Sequence, residues 1–597
     1  MSLWSKGNRV RIGVALTAAA LAVPLAGPAS PALGTSSEGQ AQPYSTQTLH
    51  FKVTVGQGQV CDVVGLLFTP STATATTPAP AILTTNGFGG SDSDQVPFAE
   101  QEAGLGYVVL SYSGLGFGGS GCKITLDDPD YDGQAASQLV SYLGGAPSIA
   151  YTDAAHTTPA PTLDVVTHDA TDHAGTAQQY DPRVGMWGGS YGGQVQFAAA
   201  AVDPRIDALN PQITWNDLSY SLDPNNTDQT TGVSTATPGA TKSTWAAAFS
   251  AIGIFDGVQY ADNDPSRLIG CPNFADFVCP ALVTAGSTGY LQPSDVEHLR
   301  HASVSSYLSE IRVPVLLDQG QVDTLFNLNE AVATYQALAA QGTPVAMLWR
   351  EQGHSGGTPS AAGQQYENTR IQNWFDHYLK DDPVSTGSPF AYYQDWTGTF
   401  AEATSYPIAD GRTFYLSGGH ALVKNHLAIT AETDTLVTPP AGPPTTLDGL
   451  DAVGGKTPAT LDQPDVNLPG SYLDWTSPAL STSLTVVGSP VLHVTVSDPA
   501  AIAGDPATEP VLFGKLYDVA PDGTASLIHG LVAPVRIPDA SKPVTITLPA
   551  IAHQFAAGHR VRITLAGGDA NYRGGLVGGP VSVSTGSSGQ SLTLPVV

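Results

Sequence analysis

Short apolar runs alternate with amphipathic stretches between about residues 78 and 380. The strand-like runs include residues 78–83, 106–112, 206–214, 312–317 and 345–349, and the helix-like stretches include residues 99–103, 133–143, 327–340 and 370–379. Apolar runs of this length are typical of strands that are buried on both faces. The alternation therefore predicts a mainly parallel sheet with helices on both faces.

Two other regions break this alternation. Residues 217–307 hold a polar tract, a helical piece at 243–252 and a loop with cysteines, which is typical of an insertion that caps the ends of the strands. After about Pro407, short alternating runs such as residues 491–496 and 561–565 stand between proline and glycine turns. These runs predict an antiparallel sandwich at the C-terminus.

The N-terminal residues 1–29 have the pattern of a secretory signal peptide. Three basic residues precede an apolar run at residues 12–26, and small residues and prolines follow it. Cleavage after Ala29 and cleavage after Gly34 both fit the pattern. No later run reaches about 18 uninterrupted apolar residues, so we expect an exported protein that leaves the membrane once the signal is removed.

Acidic residues outnumber basic ones, with 52 Asp and Glu against 23 Lys and Arg, which gives a net charge of −29. A nucleic-acid-binding protein needs a basic stripe to neutralise phosphates. The sequence has none, so nucleic acid is excluded as a partner.

The four cysteines predict disulfides, because an exported chain with an even number of cysteines favours them. Cys271 and Cys279 are eight residues apart, which suits a local loop and leaves Cys61 with Cys122. No C-x-x-C is present, and the Asp- and His-containing stretch at residues 148–179 is interpreted as a solvated loop rather than a metal site. No metal and no cofactor is expected.

The central motif is Gly188-x-Ser190-x-Gly192, with an apolar strand before it and an amphipathic helix after it. A serine used as a nucleophile must be held on a tight strand-to-helix turn, where glycines leave room for the backbone. A second match at residues 353–357 is not followed directly by a helix. We therefore predict Ser190 as the nucleophile, and the alternative is a serine that only caps the helix.

A serine nucleophile needs an imidazole to take its proton and a carboxylate to orient that imidazole. In the α/β-hydrolase arrangement, the chain order is serine, acid, histidine, with the last two in loops after late strands. Asp318 and Asp323 follow the run at 312–317, and His354 follows the run at 345–349. We predict Asp323 as the acid, because Asp318 still continues the strand, and His354 as the base.

The negative oxygen formed in acyl transfer needs two preorganised N–H donors. One is predicted to be the backbone N–H of Tyr191, the residue after the nucleophile. The second should come from the loop after the strand at 78–83, where we predict the backbone N–H of Phe88.

Together these residues resemble the Xaa-Pro dipeptidyl-peptidase and cocaine-esterase (CocE/NonD) family of serine hydrolases. The resembling segments are Tyr112–Gly121, Gly188–Gly193, Asp323–Phe326, Gly353–Gly356, Gly514–Asp518 and Ala557–Arg562. The resemblance implies an α/β-hydrolase fold with an inserted helical cap, a C-terminal jelly roll, and Ser190, Asp323 and His354 as the triad. Members of this family often supply a tyrosine hydroxyl to the oxyanion hole, where this chain has Phe88.

The resulting division of the chain has five parts: a signal peptide at 1–29, the first part of the hydrolase domain at 40–215, the cap at 216–307, the second part of the hydrolase domain at 308–405, and the sandwich at 406–597. The expected substrate is a small peptide or an ester. The cap is rich in both Asp and aromatic residues, and export favours peptide scavenging, so cleavage after Xaa-Pro is predicted first, with ester or amide acyl hydrolysis as the alternative. A non-catalytic binding protein is the remaining alternative.

Overall fold

The computed structural model of the chain describes residues 43–408, 410–447 and 466–597. The predicted signal peptide at residues 1–29 lies outside the described residues. Among the helices of the described part, none is long and apolar enough to cross a membrane.

Residues 44–403 form an eleven-stranded mixed sheet. The strands up to this point are β1 (Tyr44–Val55), β2 (Gln59–Pro70), β3 (Ala81–Thr85), β4 (Val108–Tyr112), β5 (Ala150–Tyr151), β6 (Val184–Gly189), β7 (Ile206–Gln212), β8 (Gln229–Thr231), β9 (Ser234–Thr235), β10 (Val315–Gly320), β11 (Val345–Arg350), β12 (Phe390–Gln394) and β13 (Thr399–Ala403). The sheet order is β13-β12-β11-β10-β7-β6-β3-β4-β2-β1-β5, and β8 with β9 forms a separate hairpin. The strands from β12 to β4 run parallel, so their carboxyl ends meet at one edge.

Helices cover both faces of this sheet, as the alternation predicts. The helices of this part of the described chain are α1 (Val96–Gly104), α2 (Gln134–Leu143), α3 (Tyr191–Val202), α4 (Leu218–Leu222), α5 (Ser243–Gln259), α6 (Val278–Thr288), α7 (Pro293–His301), α8 (Val304–Tyr307), α9 (Leu328–Ala340) and α10 (Ala361–Leu379), and α4 to α8 lie in the insertion after β7. Side chains of α1 and α10 pack in one core cluster with Ile82 and Leu316. Side chains of α2, α3 and α9 pack in another with Leu83 and Leu317. Adjacent residues of each strand thus enter opposite cores, which explains why the runs are apolar throughout.

The C-terminal part is an all-β sandwich in which almost every strand pair is antiparallel. Its strands are β14 (Asp410–Ser417), β15 (Ala421–Val423), β16 (Thr433–Thr438), β17 (Thr446–Leu447), β18 (Val466–Asn467), β19 (Tyr472–Thr476), β20 (Leu484–Gly488), β21 (Val491–Ser497), β22 (Val511–Val519), β23 (Ala525–Arg536), β24 (Pro543–Thr547), β25 (Ile551–Phe555), β26 (Arg560–Ala566), β27 (Gly579–Ser584) and β28 (Ser591–Val596). Alternate residues of β21 are buried, and Leu492, Val494 and Val496 enter the sandwich core. This is the period expected of a strand with one buried face.

Buried polar groups join the sandwich to the rest of the chain. The guanidinium of Arg536 is buried and donates from Nε to the carbonyl oxygen of Gly239 at 2.9 Å. Asn329, at the start of α9, donates from Nδ2 to the carbonyl of Leu548 at 3.2 Å and accepts from the N–H of Ala550 at 2.9 Å. Because buried polar groups are costly without partners, these bonds fix how the sandwich packs against the sheet and the insertion.

Candidate active site

Ser190 lies at a sharp turn between β6 and α3. Its backbone has φ 58° and ψ −120°, a conformation that non-glycine residues rarely adopt. The neighbouring glycines permit this turn, because a Cβ at Gly188 would lie 2.7 Å from the carbonyl oxygen of Gly192, and a Cβ at Gly192 would lie 2.6 Å from that of Thr85. A strand-turn-helix geometry of this kind holds a serine hydroxyl at the carboxyl edge of the sheet.

The imidazole of His354 lies between Ser190 and Asp323. Its Nε2 is 2.8 Å from Oγ of Ser190, and its Nδ1 is 2.7 Å from Oδ2 of Asp323. Trp245 and Phe326 pack edge-on against the ring, with centroid distances of 6.0 Å and 5.2 Å. The arrangement can pass a proton from the hydroxyl to the imidazole and stabilise the imidazolium with the carboxylate.

Asp323 is fully buried and surrounded by hydrogen-bond donors. Its Oδ1 accepts from the N–H groups of Leu325 at 3.0 Å and Phe326 at 2.8 Å. Its Oδ2 accepts from the backbone N–H of His354 at 3.2 Å in addition to the imidazole. Donors that point at a carboxylate favour its ionised form.

The two loops that carry Asp323 and His354 touch directly. A Cβ at Gly353 would lie 2.6 Å from Cβ of Asp323, so only glycine permits this approach. The serine of the second G-x-S-x-G match, Ser355, is bound through Oγ to Thr324, with 2.5 Å to the threonine hydroxyl and 3.2 Å to its N–H. Ser355 therefore holds the loop of Asp323 in place through these hydrogen bonds.

The predicted oxyanion donors lie beside Ser190. A Cβ at Gly87 would lie 3.8 Å from Cβ of Ser190, so the loop of Phe88 passes close to the Ser190 side chain. Among the described residues, the loop N–H of Phe88 makes no hydrogen bond to another backbone group. Tyr191 is the first residue of α3, and the first N–H groups of a helix have no partner within the helix, so its N–H is free as well. Two N–H donors are thus available to a ligand.

A cavity of about 120 Å³ opens beside Ser190. Helices α5, α6 and α7 of the insertion supply much of its wall, together with Phe88, Trp215 and Phe326. The polar lining residues are Ser190, Tyr191, Thr241 and Ser250. No Asp, Glu, Lys or Arg lines this cavity in the part of the chain that the structure describes. The pocket is therefore built for an apolar group.

Two buried carboxylates that the sequence did not single out lie near Tyr191. The Tyr191 hydroxyl accepts from the N–H of Asp127 at 3.1 Å and faces Oδ2 of Asp132 at 3.5 Å. Asp132 also binds the hydroxyl of Thr125. Both side-chain oxygens of Asp127 are buried without a hydrogen-bond partner in the described chain. Burial raises the pKa of Asp132 to about 7 and that of Asp127 well above its usual value.

Asp318, the other acid considered from the sequence, lies within β10 and is buried. Its Oδ2 is 3.4 Å from Nη1 of Arg350, and the same Nη1 binds Glu367 at 2.9 Å. The side chain of Asp318 thus belongs to an ion network at the end of β10 and β11.

Both disulfides are formed in the structure, one between Cys61 and Cys122 and one between Cys271 and Cys279. The first ties β2 to the glycine-rich loop after β4. The second closes a loop before α6.

The loop at residues 148–179 brings no metal-binding group together. Its His156 binds Asp62 through Nε2 at 2.9 Å, and its His173 lies 3.8 Å from Asp207. Within the described residues, no cluster of three metal-capable side chains includes this loop.

Family models match most of the chain. Residues 63–356 match the X-Pro dipeptidyl-peptidase (S15 family) model, and residues 384–575 match that of the X-Pro dipeptidyl-peptidase C-terminal non-catalytic domain. No match is found among curated proteins.

Several solved structures share the fold over nearly the whole chain. An aminopeptidase from a marine sediment Thaumarchaeota archaeon is 14% identical, with a TM-score of 0.65 over 96% of this chain and 100% of that chain. An α-amino acid ester hydrolase is 16% identical, with a TM-score of 0.61 over 96% of this chain and 100% of that chain. A CocE/NonD family hydrolase from Staphylococcus aureus is 13% identical, with a TM-score of 0.59 over 92% of this chain and 94% of that chain.

The α/β sheet with its C-terminal sandwich and the two family models agree with the resemblance found in the sequence motifs. The chain belongs to the X-Pro dipeptidyl-peptidase and CocE/NonD family of α/β-hydrolases, and it is a serine hydrolase.

Proposed function

We propose that Ser190, His354 and Asp323 are the catalytic triad. His354 takes the proton of the Ser190 hydroxyl as Oγ attacks a carbonyl carbon, and Asp323 stabilises the resulting imidazolium. The N–H groups of Tyr191 and Phe88 bind the oxygen that becomes negative in the tetrahedral intermediate. Collapse of that intermediate expels the leaving group, which takes its proton from His354. Water then releases the acyl group by the same steps in reverse order.

The substrate that the site supports best is an ester with an uncharged, apolar acyl group. The observation that carries this proposal is the lining of the cavity beside Ser190, which has hydroxyl groups but no charged side chain. An ionised group placed in such a pocket would lose its hydration without gaining a partner. An apolar acyl chain pays no such penalty and gains stabilisation in proportion to the area that it buries.

Cleavage after Xaa-Pro, the first prediction from the sequence, is the second candidate. The X-Pro dipeptidyl-peptidase family models and an apolar pocket that suits a proline ring favour it. A dipeptidyl-peptidase must also bind the substrate's terminal ammonium, for which it needs a carboxylate at the site. The described lining of the cavity contains no carboxylate, so an ester with an apolar acyl group is the better-supported substrate.

Three substrates assayed side by side separate the two candidates. They are p-nitrophenyl butyrate, Gly-Pro-p-nitroanilide and the N-acetylated form of that anilide. An esterase should hydrolyse the butyrate fastest and be indifferent to acetylation of the anilide. Rapid hydrolysis of the free-amine anilide, with most of the rate lost on acetylation, would replace the ester proposal with the peptidase.

Export from the cell is also proposed. The pattern of residues 1–29 and the two disulfides support it, because disulfides persist in oxidising compartments. Recovery of the full-length precursor with its N-terminus intact from inside the producing cells would contradict it.

A further inference from the structure

Three metal-binding side chains converge where the turn after β12 meets the C-terminal sandwich. A carboxylate oxygen of Asp395 and one ring nitrogen each of His529 and His553 lie within 4.8 Å of one another. Asp395 is exposed, and the two histidines are half-buried. Within the described residues, no hydrogen bond or ion pair joins any two of the three. The three ligand atoms thus lie close together without forming hydrogen bonds or ion pairs with one another.

His529 reaches this cluster through a bulge in β23. The pairing of β22 with β23 shifts register between Lys515 and Tyr517, and His529 has a φ of 56°. A bulge re-aims a side chain, and a non-glycine residue at this φ is costly unless its surroundings require it. Nδ1 of the same histidine is buried and makes no hydrogen bond of normal geometry among the described residues, although the backbone of Gln321 interacts with the ring. A buried nitrogen without such a bond is costly, so it indicates a ligand.

Both imidazoles have the properties of metal ligands. A neutral imidazole keeps a lone pair on one ring nitrogen and is a common metal ligand. Nε2 of His553 donates to Oδ2 of Asp518 at 3.1 Å, and Oδ1 of that carboxylate accepts from Nδ1 of His559 at 2.8 Å. A carboxylate behind a histidine ligand orients the ring and raises its basicity in metal sites.

We propose that Asp395, His529 and His553 form a zinc-binding site with water as the fourth ligand. Two imidazoles and one carboxylate are ligands that Zn²⁺ takes in tetrahedral geometry, with bonds of about 2.0–2.2 Å. Such bonds place the ligand atoms about 3.4 Å apart. Zinc binding therefore requires ligand atoms that now lie within 4.8 Å of one another to move closer, and Asp395 is exposed and lies in a turn. Neither the cysteine pattern nor the loop at 148–179 pointed to this site.

The site connects two parts of the chain. Asp395 follows a strand of the first sheet, whereas His529 and His553 belong to the sandwich. A Cβ at Gly530 would lie 3.8 Å from Cγ2 of Thr324, the neighbour of Asp323. Bound zinc therefore holds the sandwich against the loop of the catalytic acid, at a place that is separate from the apolar cavity beside Ser190.

The test uses the full exported chain without a histidine tag, stripped with EDTA and then equilibrated with Zn²⁺ or Co²⁺. We expect one zinc per chain after desalting, the visible absorption of four-coordinate Co²⁺, and a higher Tm with zinc. Asp395→Asn and His553→Gln should each weaken zinc binding by more than about tenfold. The matched control is His493→Gln, a histidine of the same sandwich whose ring binds Thr545 at 2.9 Å in the described part of the chain, and it should keep the zinc.

Thermal unfolding in EDTA checks that the variants fold, and Asp395→Asn, at an exposed turn, is the variant least able to disturb folding. The proposal is overturned if the folded Asp395→Asn protein binds zinc as tightly as the unaltered chain. It is also overturned if the unaltered chain retains no more zinc than His553→Gln.

Discussion

Two kinds of buried carboxylate lie near the nucleophile, and they differ in their donors. Asp323 and Asp127 are both fully buried. Asp323 accepts hydrogen bonds from three backbone N–H groups and from the imidazole of His354. The two oxygens of Asp127 have no partner in the described chain, and Asp132 beside it interacts with the hydroxyls of Thr125 and Tyr191 and with the backbone of Asp127. Burial is the same in the two places, so the two carboxylates differ in how many hydrogen-bond donors replace their lost hydration.

This difference has a consequence for catalysis. A carboxylate that must stabilise an imidazolium has to be ionised before the reaction begins, and its donors must already be in place. The backbone of the loop after β10 supplies those donors to Asp323. Asp127 and Asp132 contact the Tyr191 hydroxyl, and burial raises the pKa of both, that of Asp132 to about 7, so they belong to the buried packing beside the residue that follows Ser190.

The strongest test of the comparison removes the reacting groups themselves. Ser190→Ala and His354→Ala should each lower kcat by about 10⁵ to 10⁶, because the members of a triad act as a unit. Single-turnover and steady-state rates on p-nitrophenyl butyrate measure the loss. Labelling by a fluorophosphonate probe should disappear in Ser190→Ala, and labelling that survives would require a different nucleophile.

The next test exchanges each carboxylate for its amide. Asp323→Asn should lower kcat by about 10⁴, since the imidazolium loses its partner. Asp132→Asn and Asp318→Asn should stay within about tenfold, because neither side chain touches His354. A loss in Asp318→Asn as large as that in Asp323→Asn, with unfolding unchanged, would mean that the acid is misassigned.

A third test removes the disulfide that holds the segment carrying Asp127 and Asp132. The bond between Cys61 and Cys122 closes a separation of 61 residues just before Asp127, whereas the bond between Cys271 and Cys279 closes one of 8 residues. Replacing both cysteines of the first pair by alanine should lower the free energy of unfolding by about 4 kcal/mol, against about 2.5 kcal/mol for the second pair. Denaturant unfolding measures both. Equal losses would show that loop length does not govern the stabilisation here.

The smallest expected effect concerns pH and stability. The folded pKa of Asp132, about 7, lies above its unfolded value, so the native state binds more protons across this range and the free energy of unfolding falls as pH rises. Between about pH 5 and pH 7 this one group accounts for roughly 2 kcal/mol. Asp132→Asn should flatten the profile by that amount. Asp130→Asn, at an exposed neighbour, should leave it unchanged.

Much of the proposed catalytic arrangement could be predicted from the sequence because its parts lie near strand ends. Ser190 directly follows a recognisable strand, Asp323 and His354 lie in the loops just beyond two others, and parallel strands bring their carboxyl ends together. The structure places Asp323 beyond the end of β10 and Asp318 inside it, as the sequence reasoning expects. α10 begins at Ala361, well before the helix-like stretch that the sequence shows from residue 370. The first turns of this helix are polar and lack an apolar face, so the sequence pattern did not reveal them.

Other features left no local pattern. Trp245 and Phe326 flank the imidazole from different elements, and their aromatic character is equally typical of an ordinary core. The raised pKa values of Asp127 and Asp132 result from their burial beside Tyr191, which the sequence does not show. The cluster of Asp395, His529 and His553 joins residues far apart in the chain, and a sequence shows such a group only when ligand spacing is short.

The proposed reacting groups and the wall of the cavity lie on different elements, which affects how the substrate preference of this enzyme could be changed. The reacting atoms belong to loops of the sheet, whereas Phe249, Ala281 and Leu282 of the wall belong to α5 and α6. Combinatorial libraries restricted to those helix positions would vary the shape of the cavity and leave Ser190, His354 and Asp323 unchanged. New substrate preferences are therefore accessible to laboratory evolution without rebuilding the chemistry.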